Sequence, residues 1–413
     1  MPVVSRVSVI GLGYVGLPVA ALLAAAGHRV LGCDINPAVV EAVQAGRSHF
    51  QEPDLEMLLQ AAVGSGRLTA ALTPQPADYH LLCVPTPITA DHRPDLSHLA
   101  AATRALAPVL TPGCCVILES TCPVGATERL AAELAALRPD LRLPVLGREE
   151  PVDVHIAHCP ERVLPGRTVQ ELIGNERVIG GMTGACARLA DQLYASFATG
   201  ARHLTDCRTA EFVKLAENAF RDVNIAFANE LSLLAERLGL DVWRAIALAN
   251  RHPRVAILRP GAGVGGHCIA VDPWFLADAA PDAAPLIRTA RAVNDAKPRR
   301  VAAQLSALAA AAPDRPIALL GLTYKPDVDD LRESPALLIA ELLAAEGREL
   351  LIAEPHLPQL PPALRHCRHL PAEAALQAAG TVGVLVAHSA FRSLPRSAFA
   401  GRGVVDAAGL LAA

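Results

Sequence analysis

The chain has 413 residues and a formal net charge of -4, a balance that excludes a broad basic surface for nucleic acid or an anionic membrane as its main partner. Hydrophobic residues make up 52% of it, but much of that is alanine in broken amphipathic runs, and no uninterrupted apolar segment reaches the roughly 18 residues of a membrane span. Ten cysteines are scattered without paired zinc-ligand spacing, which predicts reduced thiols, no structural disulfide, no metal site and a cytoplasmic location.

This length is too great for one compact core and predicts two or three domains. The amino terminus runs almost at once into Val7-Ser8-Val9-Ile10, so no signal peptide is expected. From residue 7 to about 200, short apolar segments alternate with alanine-rich helical ones. That pattern predicts an α/β, doubly wound parallel sheet covered on both faces. The expected strands are Val7–Ile10, Arg29–Cys33, Tyr79–Val84, Cys115–Glu119 and Arg177–Ile179, and the Pro-, Arg- and Glu-rich piece Arg138–Pro151 reads as a surface excursion. Asp206–Leu238 keeps a helical apolar period through Phe212, Leu215, Ala219, Val223, Ala226, Phe227 and Leu231 with no Pro or Gly. It predicts one long helix that bridges domains or lines a dimer interface. A second αβ series follows in Ile317–Gly321, Glu349–Ala353 and Val382–Val386. The expected division is a Rossmann domain over 1–203, a helical middle over 204–300 and a Rossmann-like α/β domain over 301–413.

Gly11-Leu12-Gly13-Tyr14-Val15-Gly16 follows the first strand and opens a helix over Leu17–Ala26, and Asp34 closes the next strand. Glycines at these places permit a tight turn and close approach of a pyrophosphate to the helix amino terminus, while the acid accepts from a ribose 2′-hydroxyl. A carboxylate there repels a 2′-phosphate, so NAD is expected rather than NADP. Pro85-Thr86-Pro87 and Ser120-Thr121-Cys122-Pro123 lie just past later strands, where ligands of such sheets bind; ordinary strand-end turns are the competing reading. Gly265-Gly266-His267-Cys268, with Asp272 shortly after, sets a thiol in a glycine-rich turn preceded by Arg251, His252, Arg254 and Arg259. That is how a nucleophilic thiolate is presented, against the commoner role of cysteine as a small buried hydrophobe. On the long helix, Lys214, Asn218 and Arg221 fall on one stripe that can hold an oxyanion or simply face solvent.

Taken in order, these segments resemble the UDP-glucose/GDP-mannose dehydrogenase family, which oxidises the C6 alcohol of a nucleotide-linked sugar to a carboxylate with two NAD. The resemblance covers nearly the whole chain: Gly11 to Pro18, Ser120-Thr121, Pro160-Glu161, Lys214 to Asn218, Gly265 to Asp272, Gly321 to Lys325 and Arg332 to Pro335. Cys159 to Gly166, Phe220 to Phe227 and Asn250 to Val255 are similar to the branch acting on UDP-N-acetylmannosamine, whose product feeds surface polysaccharides. The resemblance implies a homodimer with its interface in the helical middle and a UDP-sugar site in the last domain. It further implies that Cys268 forms a thiohemiacetal and then a thioester, that Lys214 and Asn218 stabilise oxyanions, and that Asp272, Thr121 and Glu161 manage the proton and the hydrolytic water. Glu161, Arg162, Val163, Lys214, Asn218, Arg221, His252, Arg254, Gly265, Tyr324 and Lys325 are then expected at the substrate. Gly11, Gly13, Tyr14, Val15, Gly16, Asp34, Thr86, Thr121 and Arg332 are expected at the cofactor.

The sequence also departs from the family. Pro165 stands where the UDP-glucose branch typically keeps a second Glu, Ile269-Ala270-Val271 replaces its Phe-Pro-Lys, and Val405 to Gly409 lacks a basic residue often present there. UDP-glucose is therefore not the expected substrate, and what replaces the missing Glu and Lys is left open. The competing readings are a UDP-N-acetylglucosamine 6-dehydrogenase of the same mechanism, a non-catalytic NAD or nucleotide-sugar binding protein, and a β-hydroxyacid dehydrogenase that would not need Cys268.

Overall fold

A computed structural model describes residues 4–164 and 166–412; Pro165, singled out above, lies outside the described residues. The chain packs as two compact units. One runs to Ala216 and takes in Trp274–Ala279; the other comprises Glu217–Pro273 and the chain from Ala280 onward.

The first unit is built on β1 (Arg6–Ile10), β2 (Arg29–Cys33), β3 (Leu68–Ala71), β4 (Tyr79–Leu82), β5 (Cys115–Leu118), β6 (His155–His158), β7 (Arg177–Gly181) and β8 (Arg202–Asp206). Their order across the sheet is β3-β2-β1-β4-β5-β6-β7-β8, and the first six follow the order of a dinucleotide-binding fold. β4 and β5 are buried at every position, as strands covered on both faces must be. Side chains of β1, β4 and β5 alternate between two apolar layers: Val7, Val9, Leu81 and Ile117 on one face, Ile10, Leu82, Val116 and Leu118 on the other. The sheet is not parallel throughout, contrary to expectation. β7 runs antiparallel to β6 and parallel to β8, so the last two strands are reversed as a pair. β3, β6 and β8 have no counterpart among the expected strands. β8 is largely exposed, and β6 carries a histidine at each end, so none of the three offers the long apolar run that marks the others.

The second unit carries β9 (Ile317–Leu320), β10 (Leu350–Ala353), β11 (Arg368–His369), β12 (Thr381–Val384) and β13 (Gly403–Asp406), all parallel in the order β11-β10-β9-β12-β13. Again two layers flank the sheet, with Ile317, Leu319 and Ile352 on one face and Ala318, Leu320 and Leu351 on the other.

One helix runs unbroken over Cys207–Arg237, and the division between the units falls within it. The apolar period read from its sequence is only partly a core face. Leu215, Ala219 and Ala226 are buried, but Phe212 is 54% and Phe227 51% exposed, as is Phe220 at 66%. Among the described residues, no helix is long and apolar enough to cross a membrane.

Candidate active site

In the first unit the fingerprint loop takes the conformation its glycines allow. Gly11 has φ +91°, and a Cβ there would stand 2.5 Å from the Cys83 carbonyl oxygen; at Gly16 it would stand 1.9 Å from the Gly11 oxygen. These two glycines are required by the packing of β1 against β4 and the following helix. Gly13 differs, because a Cβ there would meet nothing within 4 Å. Its bare Cα leaves open space before the amino terminus of helix Gly16–Ala25, a cradle that a pyrophosphate fits. Asp34 is fixed beside it: its carboxylate accepts from the Leu12 N–H at 3.0 Å and the Asn36 N–H at 2.9 Å. The Tyr14 ring lies 4.3 Å from that of Phe50, centroid to centroid, and Val15 packs on the apolar layer below. The strand-end loops are tied together. Thr86 donates to the Thr121 carbonyl at 2.6 Å, and Ser120 donates to that of Val84 at 2.6 Å.

Lys214 is buried at 6% exposure, on the same unit as His158. Burial, with a smaller contribution from the Lys214 charge, holds the His158 imidazole down to about 3, so the ring is neutral. Glu211, which the sequence reading passed over, lies one turn before Lys214. Fully buried, it accepts from the Gly125 N–H at 2.6 Å and from Thr127 through N–H at 2.8 Å and hydroxyl at 2.6 Å. It thereby satisfies the first N–H groups of helix Ala126–Leu137 and anchors the turn that follows Thr121. Its signal in the sequence is no more than an acid at helical spacing ahead of Lys214. The Glu161 carboxylate accepts from the N–H of Val163. Arg162 donates to the Glu176 carbonyl at 2.9 Å, and Glu52 accepts from the N–H groups of Gly166 and Thr168.

The second unit presents the thiol. Of the ten cysteines, Cys268 alone is exposed. Its carbonyl accepts from the Val271 N–H at 3.1 Å and the Asp272 N–H at 2.8 Å, a turn that leads directly into helix Asp272–Ala279. Asn218 donates to the Asp272 carboxylate at 2.6 Å, with both side chains buried. The glycines before Cys268 are forced by close approach. A Cβ on Gly265 would stand 2.4 Å from the Glu333 oxygen, and one on Gly266 2.8 Å from the Tyr324 ring. The Gly266 N–H also donates to the Arg332 carbonyl at 3.1 Å, while the Arg332 guanidinium pairs with Asp330. Tyr324, Lys325 and Thr323 line a cavity of about 170 Å³ with Gly261, Gly263 and Pro335.

Lys214, Asn218 and Arg221 share one stripe of the helix, but burial divides it: the first two are buried and Arg221, a turn further along, is exposed. His252 and Arg254 are likewise exposed, joined by an N–H bond from Arg254 to His252 Nδ1 at 3.3 Å. Arg259 is engaged elsewhere, 5.2 Å from the Trp243 ring and donating to the Gly409 carbonyl at 3.4 Å.

Among the described residues, two sets of side chains stand close enough to share a metal ion, Cys122 with His158 and Glu211, and Asp327 with His356 and His388. In each set some of the groups are already engaged, while His158 Nε2 and His356 Nε2 hydrogen-bond to no described residue. Glu211 holds the Gly125 and Thr127 donors described above. Asp327 accepts from the Ser389 N–H at 2.8 Å and hydroxyl at 2.6 Å, and His388 accepts from the Asp327 N–H and donates to Glu354.

Three family models match the chain in succession: the NAD binding domain of the UDP-glucose/GDP-mannose dehydrogenase family over 5–198, its central domain over 208–296 and its UDP binding domain over 318–412. The chain belongs to this family. It is an NAD-dependent UDP-sugar dehydrogenase, and the open cradle at Gly13 with Asp34 beside it fits that cofactor. Similar relatives include an NDP-N-acetyl-D-galactosaminuronic acid dehydrogenase of Ralstonia nicotianae, 52% identical over 98% of this chain and 96% of its own. A UDP-N-acetyl-D-mannosamine dehydrogenase of Escherichia coli is 51% identical over 98% of this chain and 99% of its own. Among solved structures, the UDP-D-ManNAc dehydrogenase of Pyrococcus horikoshii matches with a TM-score of 0.89 and 39% identity, covering 98% of this chain and 96% of its own.

Proposed function

We propose that this dehydrogenase oxidises C6 of UDP-N-acetyl-D-mannosamine to give UDP-N-acetyl-D-mannosaminuronate through a covalent intermediate on Cys268. The observation that carries the mechanism is the Cys268 turn, where the only exposed thiol among ten leads into a helix headed by the buried Asn218–Asp272 pair. Bound NAD supplies the hydride acceptor for each of two oxidations. Asp272, held by Asn218, takes the proton of the C6 hydroxyl, or acts through a water. Cys268 adds its sulfur to the resulting aldehyde carbon, and the hemiacetal oxygen gains a proton. Loss of that hydroxyl proton to Asp272, directly or through water, and of the remaining C6 hydride to a second NAD leaves a thioester on Cys268. Water positioned by Thr121 and Glu161 then cleaves the C–S bond, giving the carboxylate and restoring the thiol. One Asn218 amide hydrogen is committed to Asp272; the other, with the Lys214 ammonium, is assigned to the developing oxyanion.

In this reading, Arg162, Val163, Arg221, His252, Arg254, Gly265, Tyr324 and Lys325 hold the nucleotide sugar, guanidinium forks suiting its diphosphate. Gly11, Gly13, Tyr14, Val15, Gly16, Asp34, Thr86, Thr121 and Arg332 hold the cofactor. The chain works as three parts, 1–203 for NAD, 204–300 for dimerisation and 301–413 for the UDP-sugar. Exposed Phe220, Phe227 and Leu234 at helical spacing support a homodimer through the long helix. Ten cysteines scattered without a disulfide framework support a cytoplasmic site of action, and the uronate product suits polysaccharide synthesis.

The name of the Ralstonia relative favours a second substrate, an N-acetylgalactosamine-type nucleotide sugar. NADH release from UDP-linked N-acetylmannosamine, N-acetylgalactosamine, N-acetylglucosamine and glucose separates the readings. The first should show the highest kcat/KM and two NADH per sugar. A clearly better rate with another sugar overturns the substrate, and two-NADH turnover by Cys268→Ala overturns the mechanism.

A further inference from the structure

The chemistry assigned to Cys268 depends on where its turn holds the sulfur, and the turn is supported by a buried polar chain that none of those steps uses. Arg291 is 2% exposed and Asp222 wholly buried. The guanidinium Nη1 lies 2.7 Å from Asp222 Oδ1 and also donates to the carbonyl of Ile269, the residue after Cys268, at 3.4 Å. Nη2 pairs with Asp295, one turn further along the same helix. Asn294 donates to Asp222 Oδ1 at 2.8 Å and accepts from Asn229 Nδ2 at 2.9 Å; Asn229 in turn accepts from the Gly261 N–H at 2.8 Å. The segment that bears Cys268 is thus held on one side at Gly261 and on the other at Ile269. Both holds belong to one connected set of side chains from helices Cys207–Arg237 and Pro285–Ala309.

A buried Arg–Asp pair adds little stability by itself, since an apolar pair of similar volume is often as stable or more so. What the apolar pair cannot do is donate to a carbonyl in a fixed direction. We propose that Arg291, oriented by Asp222 and Asn294, is a positioning residue that fixes the peptide following Cys268 and so sets the sulfur for attack on the aldehyde. This rests on the reading of Cys268 as the nucleophile.

The test replaces the pair by the apolar double variant Asp222→Leu/Arg291→Met, which keeps the volume buried and removes the donor to Ile269. With UDP-N-acetylmannosamine and NAD, kcat should fall about 10- to 100-fold while both KM values stay within about twofold. Hydrogen exchange of the amides from Gly266 to Asp272 should speed up, and the rate of Cys268 alkylation by iodoacetamide, located by peptide mapping, should change. If the double variant does not fold, Arg291→Lys serves instead. Its single ammonium cannot span Asp222 and Ile269 as the fork does, so kcat should fall with unchanged KM and faster exchange. A folded variant with unchanged kcat overturns the proposal, whatever its exchange behaviour. Failure of the nucleophile reading shows differently, as two-NADH turnover retained in Cys268→Ala with exchange of the turn unaltered.

Discussion

Replacing Gly11 and Gly13 by alanine, one at a time, makes the same chemical change at two nearby positions, and the structure demands opposite outcomes. At Gly11 the added methyl meets φ +91° and a carbonyl oxygen at 2.5 Å. The backbone conformation costs about 1–2 kcal/mol for a residue with a Cβ. Displacing the Cys83 peptide adds about 1–3 kcal/mol, the range for overpacking a filled site. The sum, about 2–5 kcal/mol, corresponds to a fall in Tm of about 4–20 °C for a domain of this size. At Gly13 the backbone is not left-handed and no heavy atom lies within 4 Å, so the methyl meets nothing in the protein. Stability should hold or rise by about 0.4–1 kcal/mol, because alanine reduces the freedom of the unfolded chain. The methyl does occupy the approach to the helix amino terminus. Losing one charge-assisted bond to the pyrophosphate costs about 1.5–3 kcal/mol, or about 10- to 100-fold in Kd for NAD. Thermal unfolding with and without NAD, together with calorimetric titration, measures both quantities. Wild-type NAD affinity in Gly13→Ala would refute the cradle, and an unchanged Tm in Gly11→Ala would refute the packing argument.

Asp34→Ser should narrow the preference for NAD over NADP, since it removes the charge that opposes a 2′-phosphate and keeps a hydroxyl near the Leu12 N–H; an unchanged ratio of kcat/KM values contradicts this. Glu211→Gln leaves an acceptor for Thr127 but turns an amide toward the Gly125 N–H, so about 1–3 kcal/mol of stability should be lost in chemical denaturation, with Glu211→Asp no better for want of reach. His158 has its folded-state value lowered by burial from 6.5 to about 3, so its contribution to stability is complete above pH 6.5 and lost as the pH falls toward 3. Between pH 6.5 and 5 the loss should be about 2 kcal/mol, and His158→Gln should unfold with a correspondingly weaker acid dependence; parallel curves for the two proteins would contradict the assignment.

The sequence alone determined the elements whose signal is local. The buried strands β1, β2, β4, β5, β9, β10 and β12 are near-continuous apolar runs because both faces are covered, and the fingerprint glycines mark their turn by spacing. Cys268 was legible because glycines on its amino-terminal side and a carboxylate after it can be read without knowing what surrounds them. Tertiary structure decided what depends on partners distant in the chain. The reversal of β7 and β8 follows from which edge the chain returns to, and β3 and β8 lack an apolar signature because edge strands bury little. The helical period of Cys207–Arg237 could not show which apolar residues face the core, so Phe212 and Phe227 fell on the open side. Glu211 and the Asp222–Arg291 pair look in the sequence like ordinary helix-surface charges. Only the fold shows them buried, where an unpaired charge is so costly that each must find its partners across the chain.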